Sequence, residues 1–209
     1  TGGNCIVPWD SYMHPPVEER RYFGTPEDYA DLFGFIRANT GLLEEYQTAF
    51  DYMPLYDDTR FGSGKPVYIT GNDRAFAYLR AIPENSSAAA VVHLIDWKES
   101  PECRPITVNI NSEYFFSGND FGIYLIEPTR YDSLIQQDVI GNADHFLRAG
   151  TFRGADHEAV YSPLRKCTKL VPQRNGSLIS VTIDSIPTYS LLVLVPSTHR
   201  TLVKSGELL

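Results

Sequence analysis

The sequence predicts a mostly β protein: an antiparallel β-sandwich preceded by one strand-loop-helix unit of an incomplete α/β domain. Three observations carry this. The hydrophobic period changes from 3.6 to 2 residues beyond about position 65. Asn175-Gly176 sits between two alternating apolar runs, the strongest two-residue hairpin signal. Cys5-Ile6-Val7, an apolar run bounded by glycine and proline, leads into a helix, and no further βα alternation follows.

The opening Cys5-Ile6-Val7 reads as a buried parallel strand, and Pro8-Trp9-Asp10-Ser11-Tyr12-Met13-His14-Pro15-Pro16 as the loop after it. Thr25 suits a helix N-cap, Pro26 the first helical position, and Glu27 and Asp28 the positive end of the helix dipole. Tyr29, Leu32, Phe33 and Ile36 then form one apolar stripe. Asn39-Thr40-Gly41 should end or loosen this helix, with Leu42, Leu43, Tyr46 and Phe50 continuing an apolar face in a second helical piece. One βα unit cannot bury both faces of its strand, so Thr1 reads as a cut near the end of a larger α/β domain. Residues 1–60 are assigned to that unit and residues 65–209 to the sandwich, with a Pro-, Asp- and Gly-rich linker between them.

In the second part Val67-Tyr68-Ile69 is a short strand ending at Gly71-Asn72. Ala75 to Ile82 is a second, with Phe76, Tyr78 and Arg80 on one face. Ala89 to Trp97 is the strongest, with Val91, His93, Ile95 and Trp97 facing one way and Val92, Leu94 and Asp96 the other. Ile106, Val108 and Ile110 alternate, and Ile123 to Ile126 is a further apolar run. Residues 127–170 carry little pattern and read as a long excursion with one or two short strands. Ile179, Val181 and Ile183 share a face, and Leu191 to Val195 closes the sheet. Seven or so strands at this spacing make a sandwich.

Composition narrows the function classes. An apolar content of 43% over 209 residues supports a sizeable core. The net charge of −8, with no Lys/Arg run, argues against nucleic acid and against an anionic membrane as partner. No segment is apolar over a membrane-spanning length. Cys5, Cys103 and Cys167 have no metal-ligand spacing; Cys103 and Cys167 could pair, but reduced, buried thiols are the stronger reading. Asp144-His145 and Asp156-His157-Glu158 lack the companion histidine spacing of a metal site, and Gly62-Ser63-Gly64-Lys65-Pro66 lacks the Ser/Thr and the helix of a phosphate loop. No cofactor is expected. His93, in a central strand, reads as a core histidine bonded to backbone.

The aromatic loop, the helix Tyr29-Ala30-Asp31-Leu32-Phe33-Gly34-Phe35-Ile36-Arg37-Ala38-Asn39 and the strand Val91-Val92-His93-Leu94-Ile95-Asp96-Trp97 together resemble the C-terminal end of many (β/α)8-barrel glycoside hydrolases. In those enzymes the last barrel strand and helix run into an appended sandwich, which often carries a His-Leu-(Ile/Val)-(Asn/Asp) strand. The resemblance covers most of residues 1–126 and 177–196. It implies that the strand-loop-helix unit is what is left over from a (β/α)8 barrel, and that the parent enzyme acts on an oligo- or polysaccharide. It places the expected substrate-binding residues, Trp9, Asp10, Tyr12 and His14, after the last barrel strand, where barrel active sites form. The paired carboxyl groups that glycoside cleavage needs come mostly from earlier strands, so the catalytic residues are not assigned.

Other readings stand beside these. Trp9 also suits a plug between barrel and sandwich, Asp10 an Asx turn with Ser11 or Tyr12, and His14 an ordinary surface loop. The alternative function is a carbohydrate-binding sandwich without catalytic activity, using Tyr114, Phe115 and Phe116. A third is a structural sandwich that binds nothing. An extracellular or periplasmic location is expected, and the helix face left without its barrel favours self-association.

Overall fold

The computed structural model describes residues 32, 34–43, 45–52, 64–96, 105–114, 120–129, 132, 134–135, 137–139, 160–186, 189–197, 203–204 and 207–208. These fall into two compact units, one built from residues 1–41 and 128–165 and the other from 42–127 and 166–209.

The second unit is an antiparallel β-sandwich, as the alternation predicts. Its larger sheet has six strands: β1 (Gln47–Tyr52), β3 (Ala75–Ala81), β4 (Ala90–Asp96), β6 (Phe121–Pro128), β7 (Arg165–Leu170) and β10 (Tyr189–Pro196). They lie in the order β1-β3-β4-β10-β6-β7. The smaller sheet joins β2 (Val67–Thr70), β5 (Ile106–Asn111), β8 (Gln173–Asn175) and β9 (Leu178–Ile183) in the order β2-β5-β9-β8. The β8–β9 hairpin turns at Gly176, whose φ of 61° is the left-handed geometry that an Asn-Gly turn supplies. Val203–Lys204 (β11) and Glu207–Leu208 (β12) pair as a short separate hairpin.

Period-2 alternation places one set of side chains from each sheet in a shared core. Register across the larger sheet lines up Phe50, Leu79, Val92, Leu192 and Leu125 as one row of directly opposed residues on five strands. Ile69, Val108 and Val181 form the matching row on the smaller sheet, as do Val67, Ile110 and Ile179. All of these are buried in a single cluster. Tyr52 ties the sheets together through its hydroxyl, which donates to the Ile69 carbonyl at 3.1 Å.

The outer faces of the two sheets differ. On the smaller sheet Thr107 meets Thr182 at 3.3 Å, and Ser180 donates to Asn109 at 2.7 Å, a polar face of the kind an antiparallel sheet turns to water. On the larger sheet Val91, Leu191, Val193, Ile126 and Tyr124 occupy the outer face, and all are buried. Its central strands are therefore apolar on both sides. The expectation that Leu191 to Val195 closes the sheet is corrected: β10 lies between β4 and β6, because a strand with no polar face is excluded from an edge.

Three further expectations are corrected. Residues 47–52 are not helical but form edge strand β1 on β3, so the sandwich begins upstream of position 65. The register shifts between Thr48 and Phe50, and this bulge breaks the alternation. Residues 47–49 are all exposed between the buried Tyr46 and Phe50, so the apolar positions stand four apart, as on a helix face. Cys167 is exposed, not buried, because it lies on β7 at the sheet edge. The excursion over 127–170 starts later than expected, since β6 runs through to Pro128. Trp97 and Cys103 lie outside the described residues.

In the first unit, residues 34–38 are helical and Thr40–Leu42 is a 3₁₀ turn, so the helix loosens at Asn39-Thr40-Gly41 as its sequence suggests. Residues 26–31 of the expected helix are outside the described set. The deepest stripe is Phe35, Ala38 and Leu42, whereas Leu32 and Ile36 are half-buried. A helix apolar on more than one side buries more than one stripe, and only the polar Arg37 marks the outside. A Cβ at Gly34 would run into the Leu164 side chain, so glycine is what lets the helix meet the Ser162–Leu164 turn. Arg165 caps the helix end, donating to the Ala38 carbonyl at 2.8 Å and to the Asn39 side-chain oxygen at 2.9 Å.

The core row sets the stability of the sandwich. Leu192→Ala is expected to cost about 2–5 kcal/mol in urea unfolding, the range for a buried leucine in a well-packed core. Val171→Ala, at a residue 92% exposed between β7 and β8, should change stability by no more than about 0.5 kcal/mol. Near-equal effects would contradict the assignment of the row to the core.

Candidate functional site

Cross-strand register gathers a polar cluster on the otherwise apolar outer face of the larger sheet. Asp51 on β1 is opposite Tyr78 on β3, which is opposite His93 on β4. Directly opposed side chains stand about 4.5–5.5 Å apart at Cβ, close enough to act together. Arg80 lies two residues along β3 from Tyr78 and shares its face. Tyr189 on β10 opposes Ile95, so it reaches His93 along the diagonal.

His93 is 4% exposed, and its Nδ1 lies 2.7 Å from the Tyr189 hydroxyl, the rings tilted by 41° with centroids 5.8 Å apart. Its partner is thus a side chain rather than the expected backbone, because a strand interior has already committed its backbone to the ladder. The Arg80 guanidinium donates to the Tyr46 carbonyl. His93 Nε2, Arg80 Nε and Asp51 Oδ1 are buried without a hydrogen-bond partner.

Electrostatics decide what this cluster can do. Burial, aided by the Arg80 charge, lowers the His93 imidazole to about 3. Burial raises the Tyr189 phenol, although Arg80 pulls the other way. Tyr78 is raised by burial first and by the Asp51 carboxylate second. At neutral pH the imidazole is neutral and both phenols keep their protons. Neither the imidazole nor the phenols has a pKa suited to shuttling protons near pH 7, so these groups act through hydrogen bonds, not as general acid or base.

Asp96, at the end of β4, is also buried. Its Oδ2 accepts from the Asn72 amide at 3.3 Å, while the Asn72 oxygen accepts from the Arg74 N–H at 2.9 Å. The His93-Leu94-Ile95-Asp96 stretch therefore has two polar residues on opposite faces of one strand, each held by a neighbour. Among the described residues no three His, Cys, Asp or Glu side chains converge as metal ligands would.

Of the substrate-binding residues expected from the sequence, Trp9, Asp10, Tyr12 and His14 all lie outside the described residues. Tyr114 is described and is 48% exposed; Phe115 and Phe116 are not described. Sequence reasoning missed Tyr189 and Asp51. Only cross-strand register brings them to His93, and a single sequence does not carry that register.

No protein family matches the chain, and no curated protein does. A solved structure with some likeness is alpha-L-fucosidase isoenzyme 2 from Paenibacillus thiaminolyticus, with a TM-score of 0.35 and 11% identity. The likeness covers 66% of this chain and 16% of that one. At that level it carries no functional weight.

The lowered His93 pKa makes stability depend on acid. Below about pH 6.5 the unfolded chain binds a proton on His93 that the folded chain refuses down to about pH 3. Folding stability should therefore fall as pH falls through this window, by up to about 1.4 kcal/mol per pH unit from this residue. In His93→Phe the slope between about pH 6.5 and pH 4 should flatten. Equal slopes in urea titrations of the two proteins would show that His93 is not held neutral.

Proposed function

We propose that the chain is the C-terminal part of a glycoside hydrolase that acts on an oligo- or polysaccharide, with the sandwich as an accessory domain. The observation that carries this is the contrast between the two sheets. The smaller sheet has an outer face of Thr, Asn and Ser, and the larger has one of Val, Leu and Ile around the His93 cluster. A sandwich with one polar and one apolar outer face is suited to lie against a second domain, which is the role of the appended sandwich in the barrel enzymes that the sequence resembles. The His93–Asp96 strand that carries part of that resemblance lies at the centre of the apolar sheet.

On this reading residues 1–41 include the last βα unit of the barrel, and Trp9, Asp10, Tyr12 and His14 line the sugar site at its mouth. Trp9 offers a ring face for the C–H side of a sugar, and Asp10 accepts from hydroxyls. Cleavage needs two carboxyl groups, so at least one comes from elsewhere in the barrel.

Assayed within its natural full-length polypeptide, the protein is expected to hydrolyse members of a panel of nitrophenyl glycosides. Trp9→Ala should lower kcat/KM by an amount equivalent to about 1–3 kcal/mol, the scale for losing an aromatic anchor. Asp10→Asn should lower activity while thermal stability stays nearly unchanged. No hydrolysis of any glycoside removes the enzyme reading. Unfolding by Trp9→Ala, with turnover untouched by Asp10→Asn, would make the loop a structural plug.

A further inference from the structure

At one end of the sandwich a cavity of about 390 Å³ opens between the β3–β4 turn and the 3₁₀ turn Ser112–Tyr114 that follows β5. Its polar lining is Glu84, Asn85 and Ser86, all exposed, together with Tyr114. The Tyr114 hydroxyl donates to the Gly64 carbonyl at 2.7 Å, which fixes the ring while leaving it 48% exposed. Asn85 is fixed as well. Its side-chain oxygen accepts from the Ser87 hydroxyl at 2.7 Å and from the Ser87 and Ala88 N–H groups at 3.2 Å each. Its NH₂ group is left to donate elsewhere. Ala88, Ala89 and Ala90, with Ala81, Ile82 and Pro83, form the apolar wall, and the small alanine side chains leave room that larger ones would fill.

A second observation marks the same place. Glu84 has a φ of 58°, a left-handed conformation that costs a non-glycine residue about 1–2 kcal/mol. Strain of this kind concentrates where a side chain is needed in one position.

We infer that this cavity is an accessory binding site for one neutral sugar ring. An exposed, fixed aromatic face suits the apolar side of a pyranose, an amide donor and a carboxylate acceptor suit its hydroxyls, and the volume suits a single ring. Among the described residues the lining includes Glu84 and no Lys, Arg or His, which disfavours anionic ligands. The choice of sugars as the ligand class rests on the glycosidase reading; the cavity does not.

The test is a ¹⁵N NMR titration of the 209-residue chain with the methyl glycosides of glucose, galactose, mannose and xylose. At least one should shift the signals of residues 82–90 and Tyr114 in a saturable way. Tyr114→Ala should weaken that binding roughly tenfold or more, and Tyr114→Phe, which keeps the ring face, should stay within about threefold. Glu84→Gln should weaken it without changing the melting temperature. Absence of saturable shifts, or shifts indifferent to Tyr114→Ala in a folded variant, would overturn the site. Binding here with no hydrolysis by the full-length polypeptide would remove the enzyme reading and leave this site standing. Hydrolysis without binding here would do the reverse.

Discussion

Strand β10 has no polar face. Leu191 and Val193 are buried on one side and Leu192 and Leu194 on the other, while β4 and β6 take up its ladder hydrogen bonds. A strand of this kind is stable only when two neighbours and two covering layers are all in place. That requirement fixes the larger sheet. Leu192 pairs with Val92 about a hundred residues earlier in the chain, so the sheet cannot be completed until the last long strand arrives. Such distant pairing costs loop-closure entropy before it gains any packing, which makes folding slow and leaves β4 and β6 as apolar edges in the interval.

The same two-sided burial accounts for the polar residues that interrupt it. Ser190 and His93 lie on β10 and β4 inside dry layers, and Asp96 and Asp51 lie at strand ends. A buried polar atom left without a partner costs about 1–3 kcal/mol, so each placement lowers stability unless something offsets it. His93 is offset in part by the Tyr189 hydroxyl and by giving up its charge. Asp96 is offset by Asn72, itself fixed by an Asx bond to Arg74. His93 and Asp96 are thus compensated in part, whereas Ser190 Oγ and Asp51 Oδ1 are buried without a hydrogen-bond partner and cost stability.

Much of the sandwich was legible in the sequence because alternation is a direct record of which face is buried. Val67-Ile69, Ala75-Leu79, Ile106-Ile110 and Ile179-Ile183 carry that record without interruption, and Asn175-Gly176 names its own turn. Strand β1 was not legible, since one bulged residue turns a period of two into an apparent period near four. Nor was the place of β10, because a run apolar on both faces says that a strand is central but not which strands flank it. The cavity was only half visible. Tyr114 stood out as a surface aromatic, whereas Ala88 to Ala90 read as the approach to a strand and give no sign of the space they leave.

Backbone strain separates structural from functional turns in this chain. Where a left-handed turn serves geometry alone, glycine supplies it: Gly176 turns the β8–β9 hairpin, and at Gly71 a Cβ would press on the Pro105 carbonyl. Glutamate takes the same conformation at Glu45, entering β1, and at Glu84, beside the cavity. Glycine at either position would relieve the strain, so retention of a charged side chain needs a reason beyond the turn. For Glu84 the surroundings offer one, since Glu84 lines the same cavity as Asn85 and Tyr114, both of which are held by hydrogen bonds. At Glu84 the strain coincides with a cavity, and such strain concentrates where a side chain is needed in one position.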